Sequence, residues 1–173
     1  MNIKLRPLEV KDLDAIVELE QTSFHKDVWE AKEIYLKRLV TFALGNIGFF
    51  LDQKLIGFMC SELWLKQERY PLERFALSHD IDEYYNVNGK ELYISSFALN
   101  PAYKHILRGK EAFKIALAFY KENLSFDSII LMVSEEWKAA ISIYLKFNFK
   151  EITRIKNYFP NNSDALIMRT NLI

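Results

Sequence analysis

The stretch Phe97 to Phe119, FALNPAYKHILRGKEAFKIALAF, places a chemical opportunity at one junction. Strand-like residues run into Asn100-Pro101, a short basic segment with a single glycine (Gly109) follows, and a helix of period 3.6 begins. A strand that breaks into a loop and then opens a helix leaves backbone N–H groups free where the helix starts. The helix dipole adds positive potential there, so the junction is an anion site suited to a diphosphate. Lys104, His105, Arg108 and Lys110 add side-chain charge around it. On these residues alone, an ordinary crossover without a ligand carries about equal weight. No grouping of His, Cys, Asp and Glu has metal-ligand spacing, so no metal is expected. The one cysteine, Cys60, lies in an apolar run and is expected in the core, which argues against a covalent thiol intermediate.

The elements that must hold this junction follow from periodicity. Asn2 to Arg6 alternates as a short strand that Pro7 ends, and Asp12 to Phe24 has near-helical spacing of Leu13, Ile16, Val17 and Leu19. A second helix is predicted over Trp29 to Leu44, with Ile34, Leu36, Leu39 and Val40 inward and Gly45 as its stop. Ile47–Leu51 and Leu55–Trp64 form a hairpin across Asp52-Gln53-Lys54. The segment Lys66 to Lys90 is charged and aromatic; it reads as an insertion of one or two short helices with a turn at Asn88-Gly89. Glu91 to Leu99 is the next strand, and its pairing fails at Asn100-Pro101 because proline has no N–H to donate.

The helix after Gly109 is expected to bury Ala112, Ile115, Ala116 and Phe119. Ser128 to Val133 is a short apolar run of the kind found in central strands. Glu135 to Phe147 is a helix with Ala139, Ala140, Ile143 and Tyr144 on related faces. Strands Phe149–Phe159 and Ala165–Thr170 then close around Pro160-Asn161-Asn162-Ser163. This order predicts an α/β fold, a mixed sheet with helices on its faces.

Composition sets the outer bounds. A chain of 173 residues, half of them apolar, suits one domain over 1–173 with a substantial core. Lys plus Arg and Asp plus Glu number 23 each, so no global field draws in nucleic acid or an anionic membrane. A lone cysteine excludes a disulfide framework and makes a reducing cytoplasm the expected setting. The longest uncharged apolar run, Leu39 to Leu51, is too short for a bilayer, and MNIKLRPLEV lacks the apolar block of a signal peptide.

The order of elements, and Pro101-Ala102-Tyr103 ahead of the basic loop, resemble the GNAT acetyltransferase superfamily. In that family the loop follows Q/R-x-x-G-x-G/A. Ungapped alignment from Pro101 puts Lys104 at the Gln/Arg position, Leu107 at the first glycine and Gly109 at the second. The stretch AAISIYLKFNFKEITRIKNYFPNNSDALIM is similar to ribosomal-protein alanine N-acetyltransferases of the RimI type, and the likeness extends over roughly residues 91 to 170. Its equivalents of the family pattern are Ala139-Ala140 to Tyr144, Asn148-Phe149, Asn157-Tyr158-Phe159-Pro160 and Asp164-Ala165-Leu166-Ile167-Met168.

The resemblance implies a GNAT fold, a mixed and mostly antiparallel sheet splayed at its centre with helices on both faces. It implies acetyl-CoA as co-substrate, held by the backbone of Phe97, Ala98 and Leu99, by the loop Lys104, His105, Ile106, Leu107, Arg108, Gly109 and Lys110, and near Trp137. A backbone N–H in residues 97–99 would polarise the thioester carbonyl. Tyr144 takes the place of the general acid that protonates the departing thiolate.

Where the RimI type has its glutamate base, this chain has Met132; an arginine is replaced by Ser134 and an asparagine by Trp137. The base is open among Glu62, Glu91, His79, Asp80, Glu135 and Glu136, or the proton leaves through ordered water. The segment at about 66–90 is expected on the substrate side, as an amine-binding wall, a cap on the sheet or a homodimer contact. The implied function is acetyl transfer to a primary amine on a protein N-terminus or small molecule. The alternatives are a non-catalytic binding module with a degenerate loop and an acyltransferase for a longer acyl-CoA.

Overall fold

A computed structural model describes residues 3–172. Its elements in chain order are β1 (Ile3–Pro7), α1 (Leu13–Ser23), α2 (Lys32–Thr41), β2 (Asn46–Leu51), β3 (Lys54–Trp64), α3 (Ile81–Tyr84), β4 (Glu91–Leu99), α4 (Gly109–Asn123), β5 (Ser128–Ser134), α5 (Lys138–Lys146), β6 (Lys150–Ile155) and β7 (Ala165–Asn171). The seven strands form one sheet in the order β1-β2-β3-β4-β5-β7-β6. Every neighbouring pair is antiparallel except β4 and β5. The sheet is therefore mixed and mostly antiparallel, as expected.

Strand alternation sends side chains to both faces. On one face Phe50, Phe58, Cys60 and Ala98 pack with Leu13, Ile16, Leu19, Tyr35 and Leu39 of α1 and α2. On the other, Ile47, Phe49, Met59, Leu92, Ile129 and Leu131 pack with Ala112, Phe113, Ala116 and Leu117 of α4 and with Tyr144 of α5. Helices thus cover both faces of the split sheet. The β2–β3 turn holds Asp52 and Gln53 at φ 48 and 71, the paired left-handed geometry that a two-residue hairpin favours.

The residue range Lys66–Lys90 stands between β3 and β4 and contains a single 3₁₀ turn, Leu72–Phe75, before the short α3. Phe75 is 1% exposed and packs with Trp64, Tyr70 and Tyr93. Arg74 lies 4.6–5.1 Å from the rings of Trp64, Tyr70 and Tyr84. Its exit runs through Gly89, where a Cβ would sit 2.7 Å from the Trp64 carbonyl carbon, so only glycine lets the two backbones pass.

Several boundaries differ from expectation. Helix α2 begins at Lys32, and its buried residues are Tyr35, Arg38 and Leu39, while Leu36 and Val40 are 37% and 70% exposed. An arginine occupies the inward stripe, and apolar periodicity placed that stripe one residue off. In α4, Phe113, Leu117 and Tyr120 are buried beside Ala112 and Ala116, whereas Ile115 and Phe119 are only half-buried. Helix α5 starts at Lys138 because Glu135 and Trp137 close a turn, through Glu135 N–H to the Asp164 carbonyl and Trp137 N–H to the Ser134 carbonyl. Strand β6 stops at Ile155, where Asn157 turns to φ 51 and gives its N–H to Asp164 Oδ1. No described helix is long and apolar enough to cross a membrane.

Candidate active site

The parallel pair β4 and β5 is matched over only Glu91–Ile94 against Ser128–Leu131, after which the strands part. A bulge starts the divergence: Ser61 opposes Ile94 and Cys60 opposes Ser96, leaving Ser95 unmatched, with its hydroxyl 3.3 Å from the Cys60 carbonyl. Such a bulge bends the strand that carries it. Beyond it, Ser96 to Leu99 remain paired with β3 but have no partner on their β5 side. A cleft of about 450 Å³ opens there, walled by Tyr93 to Leu99, by Leu131 to Val133, and by helices from both faces of the sheet.

The α4–α5 wall carries Gly109, Ala139, Ala140, Ile143 and Tyr144. Tyr144 is 7% exposed and packs between Phe113 and Phe149, ring centroids 5.4 and 5.7 Å away. Its hydroxyl has no hydrogen-bond partner among the described residues, and burial pushes the phenol's pKa well above its ordinary value. The side chain therefore keeps its proton at neutral pH, in a residue that lines the cleft. Gly109 opens α4, and a Cβ there would meet Ile143 Cδ1 at 2.7 Å, so its lack of a side chain lets the helix start close against α5.

Of the predicted cofactor residues, Phe97, Ala98, Leu99, Gly109 and Trp137 line this cleft. Lys104, His105, Arg108 and Lys110 lie exposed at the N-terminus of α4, and Ile106 is half-buried there. The loop itself is a series of turns. The N–H groups of Ile106 and Leu107 both reach the Tyr103 carbonyl, and Lys104 N–H reaches that of Pro101. Gly109, Lys110 and Glu111 occupy the first helical turn and have no intrahelical acceptor, which leaves their N–H groups for an anion.

Leu107 does not replace a phosphate-facing glycine. It is 2% exposed in the core, and its N–H is already used by the Tyr103 carbonyl. Leu107→Gly is accordingly expected to cost about 3–5 kcal/mol of stability through the cavity it leaves. It should not tighten CoA binding; urea denaturation and calorimetry on the same variant read both.

The opposite wall comes from α1, the α1–α2 connection and the 66–90 segment. Glu20, Glu30, Arg38, Ala76, Leu77 and His79 face the cleft here. Arg38, 2% exposed, is gripped by Glu30 through Nη1 at 2.5 Å and Nη2 at 2.8 Å. Glu30 also accepts the N–H of Ser78, a residue held at φ 60. Burial alone would lower the Arg38 pKa, but Glu30 more than offsets this and holds it above its ordinary value. His79 Nε2 lies 2.7 Å from Glu62 Oε1, which also accepts the Trp64 indole N–H, and all three side chains are buried.

Glu20 Oε1 accepts from the Tyr35 hydroxyl at 2.7 Å and from the Glu30 N–H at 3.0 Å. Its Oε2 is buried without a partner among the described residues. Glu20, Glu30 and Arg38 were absent from the sequence candidates. Their signal was legible in principle, since Glu20 shares the helical stripe of Leu13 and Ile16, and a charge inside an apolar stripe asks for an explanation.

The remaining base candidates lie elsewhere. Glu91 is saturated at the closed end of the sheet by Arg169, the Ser128 hydroxyl and the Tyr70 hydroxyl. Asp80 caps α3 and pairs with Lys37. Glu135 accepts the Asp164 N–H and Glu136 accepts from the Asn161 side chain. Met132 does line the cleft, where the resembled enzymes carry their glutamate. Cys60 is 1% exposed, and burial pushes its thiol up to about 12, which removes it as a nucleophile. Trp137 stands at the cleft mouth between Phe24 and Phe159, 5.8 and 5.5 Å away. Among the described residues, no group of three His, Cys, Asp or Glu side chains is placed to hold a metal.

No family model matches the chain. An N-alpha-acetyltransferase of Sulfolobus acidocaldarius is 30% identical over 76 residues, which is 44% of this chain and 45% of that relative, so the match spans under half the relative's length. Among solved structures, a GNAT-like decarboxylase, GphF, in complex with isobutyryl-CoA superposes with a TM-score of 0.82 at 14% identity, covering 98% of this chain and 100% of that one. The ribosomal-protein alanine N-acetyltransferase of Escherichia coli superposes with a TM-score of 0.71 at 19% identity, covering 98% and 94%. The chain has the GNAT fold. That fold serves acetyl transfer in one of these neighbours and decarboxylation in the other, so chemistry has to be argued from the side chains.

Proposed function

We propose that this GNAT-fold chain is an acetyl-CoA-dependent N-acetyltransferase that moves the acetyl group directly to a primary amine within a ternary complex. The observation that carries the reading is the split sheet, with a protonated, unpartnered tyrosine hydroxyl on one wall and buried carboxylates on the other. The fit to acetyl-CoA rests on three features of the chain. The β5-facing edge of Ser96 to Leu99 can hydrogen-bond an extended pantetheine arm as an added strand would. The start of α4, with Gly109 bare against Ile143, can take the pyrophosphate. Exposed Lys104, His105, Arg108 and Lys110 surround that point.

Tyr144 acts on the thioester side of the sheet and supplies the proton that the departing sulfur needs. The amine approaches from the α1–α2 side, where the carboxylates and His79 lie. The acceptor is the α-amine of a protein N-terminus or the amine of a small molecule. A longer acyl-CoA is the second reading, favoured by the apolar surface that Val28, Ala76 and Leu77 add to the cleft.

Calorimetric titration with acetyl-CoA, followed by thiol release in the presence of N-terminal peptides and polyamines, tests this reading. Acetyl-CoA is expected to bind in the micromolar to millimolar range and to release CoA only when an amine is present. No binding at millimolar acetyl-CoA would make the chain a non-catalytic module. Faster turnover with butyryl-CoA than with acetyl-CoA would favour the longer acyl group.

A further inference from the structure

We infer that Glu20 seats the acceptor as a primary ammonium group and takes its proton before transfer; this rests on the acetyl-transfer reading above. Glu20 lies on α1, 2% exposed, with its carboxyl group on the cleft wall. One oxygen, Oε1, is fully used by the Tyr35 hydroxyl and the Glu30 N–H. The other, Oε2, is buried and has no donor among the described residues. Leaving a buried carboxylate oxygen unpaired is costly, and a donor supplied from the cleft relieves that cost. An ammonium has three N–H donors and a positive charge, which matches one unpaired carboxylate oxygen.

Among the carboxylates that line the cleft, the neighbouring charges leave Glu20 as the one in need of a cation. Arg38 of α2 is matched by Glu30 from the preceding connection in a bidentate pair. Tyr35 of α2 and Cys60 of β3 are both neutral at pH 7, because burial raises the phenol and the thiol. Glu62 of β3 is engaged by His79 of the 66–90 segment and by the Trp64 indole. Glu62 Oε2 is also buried without a donor among the described residues, but Glu62 does not line the cleft. Among the cleft-wall carboxylates the unpaired oxygen is therefore Glu20 Oε2, while His79 spends Nε2 on Glu62 and keeps Nδ1 as the competing acceptor. Burial raises the Glu20 pKa, with Tyr35 and the Glu30 N–H opposing that rise. A raised carboxyl pKa makes the group a better proton acceptor near neutrality.

The step balances without another reagent. Glu20 carboxylate takes one proton from the ammonium and becomes the neutral acid, which leaves the amine its lone pair. The nitrogen forms a bond to the acetyl carbon, the carbon–sulfur bond breaks, and the sulfur takes the Tyr144 proton. The second nitrogen proton restores the tyrosine, and Glu20 returns its own to solvent as product leaves.

The test uses n-propylammonium chloride as a minimal ammonium probe, titrated calorimetrically into wild type and Glu20→Gln. The amide keeps the Oε1 acceptor and removes the charge, so the melting temperature of the variant is expected to be unchanged or higher. Propylammonium is expected to bind wild type and to bind the variant about ten-fold or more weakly, with acetyl-CoA affinity equal in the two. Equal propylammonium affinity in both proteins, or none in wild type in the millimolar range, overturns the inference. Loss of acetyl-CoA binding with the propylammonium difference intact would instead overturn the transfer reading and leave the ammonium seat standing.

Should Glu20→Gln fail to fold, Tyr35→Phe keeps the carboxylate and removes one donor to it. A donor to the charged form lowers a carboxyl pKa, so its loss raises that pKa further. Ammonium binding is then expected to fade at a higher pH than in wild type as the solution is acidified. An unmoved acid limb overturns the inference, as does an acid limb that disappears in His79→Asn.

Discussion

Tyr144→Phe is expected to lower turnover by about two to four orders of magnitude while leaving acetyl-CoA affinity and melting temperature within error of wild type. The substitution keeps the ring between Phe113 and Phe149 and deletes only a hydroxyl that has no partner among the described residues, so packing is conserved. On the proposed reading chemistry is not conserved, because amine attack on a thioester must expel a thiolate, and Tyr144 is the residue on the α4–α5 wall proposed to give it a proton. Burial holds the phenol's pKa well above its ordinary value, so at any pH a rate assay can use, the proton is in place. The rate loss should accordingly be flat across neutral pH, with no shift of the acid limb. Single-turnover thiol release, with calorimetry for the affinity, separates the two outcomes. An unchanged rate removes Tyr144 from the reaction.

Arg38→Met is expected to cost about 3–5 kcal/mol of stability, read as a fall in the urea midpoint at constant slope. At this chain length that corresponds to a melting temperature lower by on the order of 10 °C. The reason lies in what remains. Arg38 and Glu30 are 2% and 7% exposed at their side chains, so removing the guanidinium strands a carboxylate in a site with little water. The same variant should also lose ordering of the substrate wall, since Glu30 holds the Ser78 N–H. Combining it with Glu30→Leu removes both charges. That double variant is expected to recover most of the loss, because an apolar pair avoids the desolvation cost of two buried ions. Recovery failing in the double variant would mean that the pair's hydrogen bonds to the backbone matter more than its charge.

The strands and the order of helices were legible because strong local signals agreed. Pro7, the Asp52-Gln53 turn, Asn100-Pro101 and the SIILMV run each end or begin an element where the structure has them. The β4 and α5 side of the cleft was legible through residues 97–99 and Tyr144, which are tied to a long strand and a well-patterned helix. The α1–α2 side was not. Leu36 and Val40 were expected inward, and Arg38 was not among the residues expected there. The true stripe is set by the partner Glu30, eight residues away, and by the sheet beneath. Glu20 shows in the sequence only as a charge on the apolar stripe of α1; its hydrogen bond to Tyr35, fifteen residues later, and the strand bulge at Ser95 are announced by no local pattern. Loop glycine matching misled in the opposite direction: at Leu107 the turn geometry consumes the amide, whatever the side chain.

Ties between residues 66–90 and its surroundings make that segment hard to trade between relatives. The Tyr158 hydroxyl accepts the Leu77 N–H and donates to the Phe75 carbonyl, while Glu30 receives the Ser78 N–H. Three stretches far apart in the chain, near 30, 77 and 158, are thus stitched into one roof. Grafting the segment onto a shorter relative, or excising it here, would unpick all three at once. It would also strip the cover from Trp64 and Tyr93, which stack with centroids 4.0 Å apart beneath Phe75. Changes to this wall of the cleft are therefore tolerated as point substitutions within the roof, since removal of the whole piece would cost the sheet its seal.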